Sequence, residues 1–163
     1  PHFLPAYVGN SILGQFGMYG RIGEVIREQK GLAYYAYSVI SSGIGPGPWR
    51  VEMGVAPENV EPVVQLIQDE IARFTEYPVS KEELEDNQSM FIGSLPLAME
   101  TNESMVTSLL NIEKYQLGLD YYRRFPDLIR AITPQQILDA ARCYWQVDKV
   151  GIAVAGSEAV ING

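Results

Sequence analysis

Residues 26–40 read Ile26-Arg27-Glu28-Gln29-Lys30-Gly31-Leu32-Ala33-Tyr34-Tyr35-Ala36-Tyr37-Ser38-Val39-Ile40. From Arg21 to Lys30, Ile22, Val25 and Ile26 fall on one helical stripe, and Gly31 stands where a left-handed residue stops a helix. From Ala33 to Ser41 the period shortens to two, in a run rich in tyrosine and β-branched residues. Tyr35, Tyr37 and Val39 would share one sheet face. The tract Gly43-Ile44-Gly45-Pro46-Gly47-Pro48 cannot continue a central strand and reads as a turn. Trp49, Val51, Met53 and Val55 then alternate again, so the two runs predict an antiparallel hairpin with a longer connection.

Helical patterns lie on both sides of this hairpin. Leu4, Tyr7, Val8, Ile12 and Leu13 recur at helical spacing, and Gly14, Gly17 and Gly20 then break the run. After the hairpin, Pro57 suits a first helical turn, and Val60, Val64, Ile67, Ile71 and Phe74 are spaced 4, 3, 4 and 3. Ser80-Lys81-Glu82-Glu83 is a capping box, opening a helix that includes Met90, Phe91 and Leu95 and should kink or break at Pro96. Met105, Leu109 and Ile112 mark a further helix, and Tyr121 to Ala131 another. Thr133-Pro134-Gln135-Gln136 starts the last one. Val150 to Ala155 reads as a closing strand. Helix, helix, two strands, a block of helices and one strand is an α+β order, distinct from strict βα alternation. Three strands make a thin sheet for so many apolar helices. A further strand is therefore expected before Pro1, with residues 1–163 forming a single domain of a longer chain.

The composition narrows the function classes. Twenty acidic against twelve basic side chains give a net charge of −8, which disfavours nonspecific nucleic-acid or anionic-membrane binding. No apolar run reaches membrane-spanning length and no secretory leader is readable in these residues, so a cytoplasmic location is the expectation. One histidine, His2, and one cysteine, Cys143, are too few for a self-contained site of those ligands, so no metal or catalytic residue is expected in this chain. Cys143, beside Ala140, Ala141 and Trp145, reads as a small core residue. Gly14, Gly17, Gly20 and Gly23 fit neither a dinucleotide fingerprint nor a phosphate loop. Glu82, Glu83, Glu85 and Asp86 read as a solvated first turn favoured by the helix dipole.

The most specific feature is Arg27 near a helix end and Tyr34 at the start of the next strand, with a glycine corner between them. A guanidinium and a phenol at one sheet edge suit a peptide carbonyl, through charge-assisted and neutral hydrogen bonds, and could stabilise an oxyanion developing there. The competing reading is structural, with Arg27 paired to Glu24 and Tyr34 packed in the sheet.

Asn10-Ser-Ile-Leu-Gly14, Gly20-Arg-Ile-Gly23 and Ile26-Arg-Glu-Gln-Lys-Gly-Leu-Ala-Tyr34 resemble the C-terminal type of domain in M16 zinc peptidases, the insulinase, pitrilysin and mitochondrial-processing-peptidase-like family. Gly93-Ser-Leu-Pro-Leu97, Glu100-Thr-Asn-Glu103 and Thr133-Pro-Gln-Gln-Ile-Leu-Asp-Ala-Ala-Arg142 continue the likeness in order, most like bacterial two-domain members. The resemblance implies a LuxS/MPP-like half-domain, an antiparallel sheet with helices packed on one face, lacking its N-terminal strand. Two such halves enclose a peptide chamber. One carries His-x-x-Glu-His with a distal glutamate and Zn2+; the other supplies an arginine–tyrosine pair to the substrate. Arg27 and Tyr34 match that pair in type and in their seven-residue spacing. This sequence has no His-x-x-Glu-His, so the family's ligands have no position here. The implied partners are a peptide substrate and a zinc-bearing half, in the same or a separate chain, with self-association through exposed apolar surface. The alternative within the family is a non-catalytic scaffold or partner subunit. A third reading is an α+β binding module unrelated to proteolysis.

Overall fold

A computed structural model describes residues 2–15, 20–45 and 47–156. Helix α1 (Phe3–Asn10) continues into a π-helical turn, Ser11–Gln15. Helix α2 (Arg21–Gly23) continues likewise into a π-helical segment, Glu24–Gln29. Strands β1 (Ala33–Ile40) and β2 (Trp49–Val55) come next. The chain then runs through α3 (Val60–Glu76), α4 (Lys81–Ser94), α5 (Asn102–Tyr115), α6 (Tyr121–Arg130) and α7 (Pro134–Tyr144). Gly17 and Pro46, two of the residues read as punctuation, lie outside the described residues.

The hairpin is antiparallel, with Ala36 opposite Met53, Ser38 opposite Val51 and Ile40 opposite Trp49. These pairs face the helices. Ala36 and Ser38 are buried, and Trp49, Val51, Met53 and Val55 pack against the core. Tyr35, Tyr37 and Val39 do share a face, but it is the solvent-facing side, opposite Gly54, Glu52 and Arg50. Small residues occupy the inner face because the backbone of the first helical unit comes close. A Cβ at Gly14 would stand 2.7 Å from the Ser38 hydroxyl.

The core lies between the hairpin and α1, α2, α3 and α7 and continues to α4 and α6. Trp145 sits at its centre, stacked on Trp49 at 5.2 Å and tilted against Phe74 at 5.5 Å. Asn10, also buried, accepts the Trp49 indole N–H at 2.7 Å, so the polar tip of this aromatic cluster is satisfied. The capping boxes at Ser80/Glu83 and Thr133/Gln136 are both formed, and Thr101/Ser104 forms a third.

Two sequence readings are corrected. Val150–Ala155 is not a strand: it is exposed and has no ladder partner among the described residues, and β structure requires a neighbouring edge. Among the described residues the sheet therefore has two strands, order β1-β2. Cys143 is exposed, because the buried side of α7 runs through Ile137, Leu138, Ala140 and Ala141, and position 143 points away from it. Helix α5 exists, but Met105 and Leu109 are exposed, together with Val106 and Leu110, and Ile112 is its one buried residue.

Glu83 is more than a solvated first-turn charge. Arg21 Nε and Nη2 donate to its two oxygens at 2.7 and 2.9 Å, joining α2 to α4 across 62 residues of sequence. Arg21 also approaches the buried Glu70 at 3.8 Å and lies 5.0 Å over the Phe74 ring. Burial alone would raise the Glu83 pKa. The Arg21 and Ser80 hydrogen bonds outweigh it and hold the carboxyl at about 2, against an ordinary 4.5. A depressed carboxylate contributes stability that is complete above about pH 4.5 and is lost as pH falls towards about 2. Urea titrations of wild type and Glu83→Gln should therefore differ most at pH 6 and converge on acidification; a difference independent of pH contradicts the assignment.

Candidate functional site at the β1 end

Arg27 lies on the π-helical segment and Tyr34 at the start of β1. Gly31 makes the corner between them, with φ of +63°. Its N–H donates to the Arg27 carbonyl at 3.0 Å, and the Leu32 N–H to the Ile26 carbonyl at 2.9 Å. Nothing crowds a Cβ at Gly31, so it is the left-handed backbone that calls for glycine. These nested bonds bring the end of the helix directly onto the start of the strand.

The ladder is irregular at this point. Ala33 pairs with Val55 but Tyr35 with Gly54, which leaves Tyr34 as the extra residue of a β-bulge. A bulge turns its side chain out of the regular alternation, and Tyr34 is 87% exposed. Arg27 is exposed too; its nearest carboxylate is Glu28, at 3.9 Å, and Glu24 instead accepts from Gln29 at 3.4 Å. An ion pair of that length on the surface contributes little. The structural alternative for the pair is therefore not what the structure shows: Arg27 is not paired with Glu24, and Tyr34 is not packed into the sheet.

Beside Tyr34, Tyr35 and Tyr37 extend along the same strand, and Tyr37 donates its hydroxyl proton to Glu52 at 2.8 Å. The sequence places these tyrosines on one face without marking them as functional; the available signal is the period-2 repeat combined with small residues between them. His2 lies apart from this site, edge-on to Tyr144 at 6.1 Å. Among the described residues no group of three His, Cys, Asp or Glu side chains could hold a metal ion. Two open grooves, one beside Thr75, Arg142 and Trp145 and one beside Leu4, Leu117 and Ile132, do not include Arg27 or Tyr34. Tyr34 stands on an open sheet end, 87% exposed.

A two-stranded antiparallel sheet with helices on one face gives the described residues an α+β architecture. Residues 1–91 match the Peptidase M16 inactive domain, and the chain belongs to that family. It is 31% identical over 98 residues to an uncharacterized zinc protease, YmxG, of Bacillus subtilis, covering 60% of this chain and 24% of that protein. It is 25% identical over 149 residues to a non-peptidase homolog of Helicobacter pylori, covering 89% and 33%. The crystal structure of a peptidase M16 inactive domain from Pseudomonas fluorescens superposes with a TM-score of 0.83 at 28% identity, over 91% of this chain and 35% of that one. The chain spans between about a quarter and a third of the length of the curated relatives it matches.

Proposed function

We propose that this chain is the substrate-binding half of an M16-type zinc endopeptidase. Arg27 and Tyr34 hold a peptide carbonyl, and the metal belongs to a second, zinc-bearing half. The observation that carries this reading is Tyr34 at the bulge, 87% exposed and joined to Arg27 through the Gly31 corner. A bulky, exposed side chain at a sheet irregularity is the usual arrangement where a fold re-aims a residue towards a ligand. Arg27 donates charge-assisted hydrogen bonds, and Tyr34 donates one from a rigid ring. Both would strengthen as negative charge develops on the bound carbonyl oxygen. Neither group can activate water, so the chain alone binds and orients. The apolar row Met105, Val106, Leu109 and Leu110 on α5 offers a packing surface for the other half. Replacement of Arg27 and Tyr34 in the assembled protein tests the reading: turnover must fall while the fold persists.

The second reading is a non-catalytic scaffold or partner subunit, favoured by the likeness to a relative described as a non-peptidase homolog. In that case the same replacement leaves the function of the assembly unchanged.

A further inference from the structure

The side of α5 turned away from the core is apolar in its middle and charged at both ends. Ile112 is buried, and Ser104, Ser108 and Asn111 are half-buried beside it on the inner side. Met105, Val106, Leu109 and Leu110 stand on the outer side, each between 45% and 65% exposed. Large apolar side chains on two successive turns form a contiguous patch, the kind of surface that marks a protein contact. Leu97, on the short 3-10 turn Leu97–Met99 that packs against α5, is exposed as well and adds to the apolar surface there.

The two ends of this row carry opposite charges. Glu103 lies in the first turn of α5 and Lys114 in the last. Eleven positions separate them, about three turns of 3.6 residues, so both stand on one side of the helix, about 16 Å apart along its axis. Val106 and Leu110 lie between them on the same stripe, at steps of three, four and four residues. Both charged residues are exposed, and among the described residues neither takes part in an ion pair within the chain. The Lys114 Nζ lies over the neighbouring Tyr115 ring, 5.0 Å from its centroid. Each charge also suits its end of the helix dipole, which needs no partner. The exposed apolar stripe between them does.

We propose that a second copy of this chain covers the outer face of α5, the two helices packing antiparallel about a two-fold axis. A two-fold contact needs a patch that complements itself. Run antiparallel, the row sets Val106 and Leu110 of one copy against the same residues of the other. It also brings Glu103 of each copy beside Lys114 of the other, so that both ends of the contact hold an opposite-charge pair. Parallel packing would set like charges opposite one another at both ends, which is unfavourable. An anionic membrane is a poor occupant, since the chain carries a net charge of −8. The zinc-bearing half is the other candidate for this face, and the charges select between the two, because they answer one another in a second copy with nothing further supplied. The inference stands apart from the peptide-holding role of Arg27 and Tyr34.

Sedimentation equilibrium of the full-length protein tests this, for the wild type and for Leu110→Asp, Glu103→Lys and Lys114→Glu. The wild type should be a dimer. Leu110→Asp acts twice in a two-fold contact and should weaken it about a hundredfold or more, the effect of withdrawing two buried leucines. Glu103→Lys and Lys114→Glu should each weaken it about tenfold, since two attractions become two repulsions. An equimolar mixture of those two variants should dimerise again, because one copy then carries two lysines and the other two glutamates. All three positions are exposed in the single chain, so circular dichroism should show the helices retained in every variant. A monomeric wild type, a dimer that survives Leu110→Asp, or a mixture of the two charge variants that stays monomeric overturns the proposal. So does a dimer lost in Leu110→Asp yet indifferent to both charge changes. A Leu110→Asp protein that keeps its mass and melts at a lower temperature also overturns it, and assigns the face to the zinc-bearing half or to another part of the same chain.

Discussion

With Arg27 and Tyr34 both replaced by alanine, the assembled protein should keep its fold and lose about 10²- to 10³-fold in turnover, the cost of removing donors aimed at a developing oxyanion. Both side chains are exposed, and the nearest carboxylate to Arg27 is 3.9 Å away, so little stability is at stake. Surface replacements away from caps and buried networks shift stability by no more than about 0.5 kcal/mol. Thermal denaturation followed by circular dichroism should therefore superpose for the two proteins. Tyr34→Phe separates the hydroxyl from the ring: if the hydroxyl is the working group, most of the tyrosine's share of the loss appears with the ring retained. Unchanged turnover in the double variant would mean that the exposed corner does not touch substrate and would favour the scaffold reading. Loss of turnover accompanied by a lowered melting point would show that the residues act on the fold.

Trp145→Ala should be the most damaging single replacement for stability, at about 3–5 kcal/mol. The indole is 2% exposed and contacts elements from both ends of the chain. It stacks on Trp49 of β2, meets Phe74 of α3 and lies against Gly9 of α1, where a Cβ would stand 3.2 Å from its ring. Truncation leaves a cavity between a hairpin and three helices that cannot all close on it. A domain of this size has a total stability of about 5–15 kcal/mol, so the loss is a large fraction of the whole. Urea unfolding should show the drop as a lower midpoint with a similar slope. A loss under about 1 kcal/mol would show that Trp145 does not join the layers.

Local features of the fold are the ones legible in the sequence. The boxes at Ser80/Glu83 and Thr133/Gln136 are encoded within four residues, and both form. The box at Thr101/Ser104 escapes a sequence reading because serine replaces the usual glutamate or glutamine at its third position. The hairpin and its alternation are readable, since a period of two needs no partner to be recognised. Which face is buried is not readable, because that depends on Gly14 drawing the first helical unit onto Ser38. Val150, Ile152 and Val154 alternate as a strand would, yet a strand exists only with a neighbouring edge, and composition cannot show whether one is present. Glu83 looks like an ordinary helix-start charge because Arg21, its partner, is 62 residues away.

The site divides in the same way. The Gly31 corner is visible as a helix stop and then a strand. The bulge that turns Tyr34 outward is not, because it is a mismatch between two strands and belongs to neither alone. Arg27 and Tyr34 stand out by their chemistry, but their spacing gains meaning through likeness to a family. Tyr37 does not stand out, because its distinguishing feature, a proton committed to Glu52, exists only once β2 lies beside β1.

The most direct test of the central claim is to measure zinc content and chelator-sensitive peptide hydrolysis, for this chain alone and for the assembly with a zinc-bearing half. The chain alone should hold no stoichiometric zinc and hydrolyse no peptide, and the assembly should hold zinc and show chelator-sensitive hydrolysis. Chelator-sensitive peptidase activity from the pure chain, or an assembly that holds no zinc and cleaves no peptide, would contradict it.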